Sequence, residues 1–256
     1  MITLILGTSE GKKILSLLNE FTEDIAVTTA TNYGGDLLKK YRYKILNTKP
    51  LDIEDLKLFL IDNKSTILVD ASHPYAQVVT ENAIKVCKEL KIEYIRYERP
   101  SVSEGYKDDI VSVRNYDELN IKLLDVKGTI LNTTGSNNIG KFMNMNLDNR
   151  IIHRVLPSTK VMEKCYELGV KTEDVIAIKG PISYQLNLAF IDEYNAKAIV
   201  LKDSGVEGGT EEKIKAAIDR KLKIFMLERT NPVYTNSFYE VEKLVEYIKL
   251  YLLGTK

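Results

Sequence analysis

Short runs of β-branched and apolar residues alternate with helix-like segments almost from one end of this chain to the other, and no other feature restricts its fold as much. Two strands with a helix between them cannot close as a hairpin. The chain has to cross over, and crossovers make neighbouring strands parallel. The spacing predicts strands over residues 3–6, 25–29, 43–46, 66–69 and 93–97, with helices over 12–18, 36–40, 53–61 and 74–90 between them. In the last of these Ala76, Val79, Ala83, Val86, Cys87 and Leu90 recur at helical spacing on one face. A polar stretch, 101–109, breaks the rhythm and is the natural hinge, dividing the chain into lobes of 1–103 and 104–256. The second lobe repeats the pattern. Its strands are predicted over 110–113, 129–132, 151–155, 175–178, 198–201 and 224–227, and its helices over 116–123, 161–168, 184–194 and 211–219. A final helix over 238–252 puts Val241, Leu244, Val245, Ile248 and Leu252 on one face. That face needs a covering surface, and the first lobe is one candidate.

Composition narrows the class of function. A chain of 256 residues, 44% of them hydrophobic, can fill one large α/β core or two of ordinary size. Lys plus Arg equals Asp plus Glu at 36 each. A neutral chain has no general attraction to nucleic acid or anionic membrane, so any anion site has to be local. No run approaches the length of a membrane span, and the apolar start, Met1-Ile2-Thr3-Leu4-Ile5-Leu6, lacks the marks of a secretory leader. A cytoplasmic protein is expected. Cys87 and Cys165 are far apart and sit at apolar helix positions, so two buried thiols are expected rather than a disulfide. With His73 and His153 the only histidines, a protein-bound metal is not expected.

In open parallel sheets ligands bind beyond the carboxyl ends of the strands. Gly7-Thr8-Ser9-Glu10-Gly11 follows the first strand and could offer backbone N–H groups to a phosphate at a helix start. It is not the G-x-G-x-x-G fingerprint, and a plain capped turn explains it equally well. Thr133-Thr134-Gly135-Ser136, in the second lobe, has the same two readings. The carboxylate that commonly ends strand two is replaced by Thr28-Thr29-Ala30-Thr31-Asn32. A 2′-phosphate is therefore permitted, and neither NADPH nor NADH is excluded. Arg96, Arg99, Arg154, Lys179, Lys202 and Arg229 each fall at or just after a strand end. Any one could cap a carbonyl or pair with an acid such as Glu98 or Glu228, but six together suggest a polyanionic ligand. Asp70-Ala71-Ser72-His73-Pro74-Tyr75-Ala76 leads from a buried strand into a helix and places His73 at the strand ends. A lone histidine there is more often a hydrogen-bonded loop residue than a catalyst.

Taken in order, these pieces resemble the precorrin-6A reductases, including the cobalt-precorrin-6A reductases. The likeness runs through Leu6-Gly7-Thr8-Ser9-Glu10-Gly11, the Asp70–Ala76 segment, Arg96-Tyr97-Glu98-Arg99-Pro100 and Thr133-Thr134-Gly135. It continues in Arg154-Val155-Leu156-Pro157, Lys179-Gly180-Pro181, Lys202-Asp203-Ser204-Gly205 and Gly209-Thr210-Glu211-Glu212-Lys213. The resemblance implies an α/β fold of two Rossmann-like lobes, each a mainly parallel sheet flanked by helices, with a crevice between them. It implies hydride transfer from NADPH or NADH to one C=C bond of an anionic tetrapyrrole, taking precorrin-6A to precorrin-6B in cobalamin synthesis. On that reading His73, Lys202 and Asp203 are the candidate catalytic residues. Gly7, Thr8, Ser9, Glu10, Thr134, Gly135, Ser204 and Gly205 are candidates for the cofactor. Tyr75, Arg96, Arg99, Arg154 and Lys179 are candidates for the substrate. Whether cobalt is in the ring, and whether the chain is a monomer or a small homo-oligomer, stay open. So do another NAD(P)-linked α/β reductase and a non-catalytic two-lobed binding protein. The first ordinarily needs a Tyr-x-x-x-Lys pair, where this chain offers only Tyr247-x-x-x-Tyr251.

Overall fold

The computed structural model describes residues 1–7, 10–229, 234 and 236–254. The chain forms two compact units, Met1–Arg99 with Thr230–Lys256, and Pro100–Arg229. The first unit begins β1 (Ile2–Leu6), α1 (Gly11–Leu18), β2 (Ile25–Thr28), α2 (Asn32–Asp36), β3 (Ile45–Asn47). It continues α3 (Ile53–Asp62), β4 (Ile67–Ala71), α4 (Gln77–Leu90), β5 (Glu93–Tyr97). The second unit opens with a 3₁₀ segment, Ser103–Asp109, then β6 (Ile110–Val113), α5 (Tyr116–Leu123), β7 (Thr129–Asn132), α6 (Ile139–Met143) and β8 (Ile151–Val155). It ends α7 (Thr159–Glu167), β9 (Val175–Ala177), α8 (Tyr184–Glu193), β10 (Ala196–Lys202), α9 (Thr210–Asp219) and β11 (Lys223–Leu227). The chain then returns to the first unit as β12 (Ser237–Phe238) and α10 (Val241–Leu252).

Both sheets are wholly parallel, and both have the same plan. The first runs β12-β5-β4-β1-β2-β3 and the second β6-β11-β10-β7-β8-β9. Strand order reverses between β1 and β4 in one, and between β7 and β10 in the other. Those reversals part the loops that follow the strands, and such a parting is where ligands commonly enter an open parallel sheet. The edge beyond β5 is filled by β12, whose Ser237 and Phe238 pair with Arg96 and Tyr97. The equivalent edge of the second sheet is filled by β6, which precedes the rest of its lobe in sequence.

Strands buried on both faces have to be apolar throughout, and β1, Ile-Thr-Leu-Ile-Leu, is buried at every position. Its one polar side chain, Thr3, is satisfied by Ser65 at 2.6 Å. Leu4, Val27 and Val69 pack on one face against α1 and against Val241, Leu244, Val245 and Ile248 of α10. Ile5 and Leu68 face the other way, onto Leu56, Leu60, Ala83 and Val86 of α3 and α4. In the second lobe Leu131, Ile199 and Ile224 pack against Ile191 and Ile214 of α8 and α9. Short side-chain acceptors start the helices: Asp52, Asn115, Ser158 and Ser183 each take a backbone N–H from the first turn.

The structure differs from the sequence reading in several places. The second lobe ends at Arg229, and β12 and α10 belong to the first unit rather than to a lobe of 104–256. β12 is two residues long, too short to show a periodicity. The helix expected from residue 74 starts at Gln77, because Pro74 and Tyr75 form a turn held by the His73 carbonyl and the Ala76 N–H at 2.8 Å. The helix expected over 36–40 is instead Asn32–Asp36, set by the Thr31 cap. α6 was not foreseen.

Candidate functional site

In the first lobe the ends of β1 and β4 come together at Gly7 and Ser72-His73. The Gly7 N–H donates to the Ala71 carbonyl at 3.1 Å. A Cβ at Gly7 would lie 3.3 Å from that oxygen, so the close approach of the two strands favours glycine. Beside it opens a cavity of about 230 Å³ with a mainly apolar lining, including Gly7, Thr29, Ala30, His73, Ala76 and Val79. Among the described residues no carboxylate lines it, and Lys49 does. Pockets that bury a whole drug-sized ligand run from about 300 Å³ upward, so this one suits a single ring system. Thr8 and Ser9, expected at a phosphate, lie outside the described residues.

The arginines of this lobe do not form a rim. Arg96 is 1% exposed; it pairs with Asp70 at 2.8 Å and Glu98 at 2.6 Å, and donates to the Ser72 hydroxyl at 3.0 Å. Burial opposes the Arg96 charge, but Asp70 and Glu98 outweigh it and raise its pKa. Asp70 also accepts from the Thr80 hydroxyl at 2.8 Å, the Tyr94 hydroxyl at 3.0 Å and the Ser72 N–H at 2.9 Å. Arg99 is buried in a two-point pairing with Glu10, one arm of it at 2.8 Å. A guanidinium out of water needs a carboxylate in contact, and here both carboxylates come from the protein. Arg96 and Arg99, candidates for the substrate, are thus paired with acids of the protein itself, and Glu10, a candidate for the cofactor, is the partner of Arg99.

His73 is half-buried on the cavity wall. Its Nδ1 accepts the Tyr75 N–H at 3.2 Å, which leaves Nε2 to carry the proton of the neutral ring. Tyr75, also half-buried, has its ring 5.8 Å from the imidazole.

In the second lobe Asn132 ends β7 and organises the loop after it. Its Oδ1 accepts from the Thr134 N–H at 3.0 Å and the Thr134 hydroxyl at 2.7 Å. Its Nδ2 lies 2.9 Å from His153 Nδ1. Burial pushes His153 down to about 4, so the ring is neutral and its Nδ1 is the acceptor. Thr134 is therefore a loop brace, while Gly135, at φ +89°, has open space where a Cβ would be.

Beyond β10, Asp203 is buried and accepts from the Ser101 hydroxyl at 2.5 Å and the N–H groups of Val102, Ser103 and Gly205 at 3.1–3.2 Å. Arg229 pairs with it at 3.2 Å. Burial would raise its pKa, but the Ser101 hydroxyl and Arg229 outweigh that and hold it below the usual carboxylate range. Asp203, a candidate catalytic residue, thus clamps the start of the lobe. The N–H groups of Ser204 and Gly205, two candidates for the cofactor, bond Thr210 Oγ1 at 3.0 Å and Asp203 Oδ1 at 3.1 Å.

Lys202, half-buried at the end of β10, is pushed down to about 8, first by burial and then by the charge of Lys141. The Lys141 ammonium stands 4.3 Å from the Tyr116 ring centroid. Arg154 donates to Asn187 Oδ1 at 3.1 Å, and burial pushes it down to about 10. Lys179 is exposed just past β9. Lys213 of α9 is not among the candidates singled out from the sequence. It is 4% exposed, donates to the Gly208 carbonyl at 3.2 Å, and is pushed down to about 7 by burial and then by Arg154. A signal for it existed: the buried residues of α9 are Thr210, Lys213, Ile214, Ala216 and Ala217, and a lysine among them is out of place. Among the described residues no group of three or more His, Cys, Asp or Glu could hold a metal, and no helix is long and apolar enough to cross a membrane.

A family model described as "Precorrin-6x reductase CbiJ/CobK" matches residues 1–249. A cobalt-precorrin-6A reductase of Methanocaldococcus jannaschii is 34% identical, covering 93% of this chain and 92% of that protein. One of Priestia megaterium is 33% identical, covering 96% of each. Among solved structures, "CobK precorrin-6A reductase" superposes with a TM-score of 0.76 over 97% of this chain and 96% of that one. At 15% identity that likeness speaks for the fold alone. A match across almost the whole chain, with relatives a third identical over nearly all of their own length, places it: the chain belongs to the precorrin-6x reductase CbiJ/CobK family.

Proposed function

We propose that this chain reduces one C=C bond of cobalt-precorrin-6A, giving cobalt-precorrin-6B, with a reduced nicotinamide as hydride source. The observation that carries this reading is local charge in a neutral chain. Lys141, Lys202, Arg154 and Lys213 gather around the strand ends of the second lobe, close enough that Lys141 depresses Lys202 and Arg154 depresses Lys213. A macrocycle with several carboxylate arms would find its counter-charges there. The cobalt form is favoured because the relatives from M. jannaschii and P. megaterium carry that name.

The cavity beside Gly7 fits the adenine end of a dinucleotide: mainly apolar walls, a glycine at the closest approach, and no carboxylate to repel a phosphate. When bound, the nicotinamide supplies the hydride. The protein's own task is then to hold the ring by its arms and to protonate the carbon beside the one reduced. Lys202 suits that task. Held near 8, it is an ammonium at neutral pH, yet a stronger acid than an ordinary lysine. His73, on the cavity wall of the other lobe, is the rival.

The test is turnover of cobalt-precorrin-6A and of the metal-free compound, each with NADH and with NADPH, followed by the loss of reduced-nicotinamide absorbance. Oxidation coupled one-to-one to ring reduction is expected. No macrocycle-dependent oxidation with either cofactor would sink the reading.

A further inference from the structure

We propose that Arg154 and Lys213 together form a buried seat for one carboxylate arm of the substrate, with Lys213 as its deeper, affinity-setting half. The inference rests on the reaction proposed above, and it deepens that reading by assigning one arm to two of its four cations, with a separate part for each.

Arg154 is near enough to Lys213 for its charge to oppose that of the ammonium, and among the described residues no acid lies within ion-pairing distance of either. Among the described residues, the only hydrogen bond from the Lys213 ammonium goes to the Gly208 carbonyl at 3.2 Å. The only one from the Arg154 guanidinium goes to Asn187 at 3.1 Å. Among the described residues neither takes part in an ion pair, although every other buried charged residue there finds an opposite charge: Arg96 and Arg99 do in the first lobe, and Asp203 does a few residues away. Asp203 and Glu212 attract Lys213 only from a distance. Asp203 is spent on the Ser101–Ser103 segment and Arg229.

A lysine kept only to brace the Gly208 carbonyl gains nothing from being buried within the field of a second cation, since like charges in a low-dielectric site oppose both burial and each other. A carboxylate answers both problems at once. It can accept from the open N–H groups of the half-buried Arg154 and from the remaining donors of Lys213. Arg154 is the half that meets solvent, so it is where an arm first arrives.

The loop above Lys213 is built to stay put. Gly209, at φ +61°, has no room for a Cβ, which would fall 2.9 Å from Pro181. A Cβ on Gly208 would fall 2.3 Å from that of Ser204. Thr210, fully buried, takes the Ser204 N–H at 3.0 Å. The Gly208 carbonyl is thus fixed independently of Lys213, and the lysine is not needed to shape the turn.

The experiment compares the full-length wild type with Lys213→Met, Lys213→Arg and Arg154→Gln. Its readouts are the KM for cobalt-precorrin-6A, the KM for the reduced nicotinamide, and the Kd for uroporphyrin III by fluorescence anisotropy. That porphyrin is a tetrapyrrole with acetate and propionate arms, and it reports binding without turnover. Lys213→Met should raise the macrocycle KM and the porphyrin Kd about tenfold or more, leaving the nicotinamide KM unchanged. Lys213→Arg should recover most of the loss, and Arg154→Gln should show the same pattern. Because it removes an uncompensated buried charge, Lys213→Met should melt no lower than the wild type. Unchanged macrocycle KM and Kd in Lys213→Met and Arg154→Gln would overturn the seat while wild-type turnover leaves the function standing. A rise in the nicotinamide KM alone would also overturn it, by making the pair a phosphate site. A wild type that neither reduces nor binds a macrocycle would remove the function and the seat together.

Discussion

His153 and Lys202 are both buried toward their neutral forms, and each makes a prediction with a definite sign against pH. For His153 the folded value is about 4, against 6.5 for the free side chain. Between those values the unfolded chain takes up a proton that the folded chain refuses. Stability therefore falls as pH drops from 6.5 toward 4, by up to about 1.4 kcal/mol per unit. His153→Gln, which has no such proton to refuse, should lose less between pH 7 and pH 5 in urea unfolding. Equal losses in the two proteins would show that the ring is not held neutral. For Lys202, with a value near 8, the ammonium should be lost as pH rises through that point. If it supplies the proton, single-turnover rates should fall above pH 8 in the wild type. Lys202→Met should be slower by about tenfold or more, roughly 1.4 kcal/mol in the barrier, and should lack that limb. A variant that keeps the limb would shift the proton source to His73, for which His73→Gln is then the decisive comparison.

At the scale of elements, the turns after strands do more bracing than binding. Asp203 caps the turn after β10 and also holds the Ser101–Ser103 segment that starts the lobe. Hydrogen bonds to a charged group contribute about 1.5–3 kcal/mol each and do not simply add. Asp203→Ala should cost on the order of 3 kcal/mol by the same measure, and unfolding midpoints within experimental error of the wild type would refute the clamp. The turn between β4 and α4 makes the opposite kind of prediction. Ala76 lines the cavity next to His73, so Ala76→Phe should fill it. The nicotinamide KM should then rise about tenfold or more with the macrocycle KM unchanged; the reverse pattern would put the cofactor elsewhere. The position of these turns was legible in the sequence, since strand ends and helix starts show in local spacing. Their use was not. Asp203 and His73 occupy equivalent places by sequence logic, and only the atoms around them show that one is spoken for on all sides.

At the scale of the whole molecule, the first lobe depends on a segment that arrives last. β12 closes the edge of its sheet, and Val241, Leu244, Val245 and Ile248 of α10 complete its core. Truncation after Arg229 should strip hydrogen-exchange protection from β1, β4 and β5, while β7 and β10 keep theirs. Uniform retention or uniform loss would contradict two separately built cores. What the sequence determined by itself was the alternation of strand and helix, the parallel sheets, and the placing of Gly7, His73, Lys202 and Arg154 at strand ends. Those follow from side-chain period and crossover connection, both of which are local. Only the tertiary structure decided which charges are already answered. Glu10 and Arg99 are 89 residues apart, and Asp203 and Ser101 are 102 apart. Lys213 likewise comes within the field of Arg154, 59 residues before it in the sequence, only in the folded chain. Pairing depends on distance through space between elements that share no local pattern, so a row of basic residues read along the chain separates into braces and binding groups only once the chain is folded.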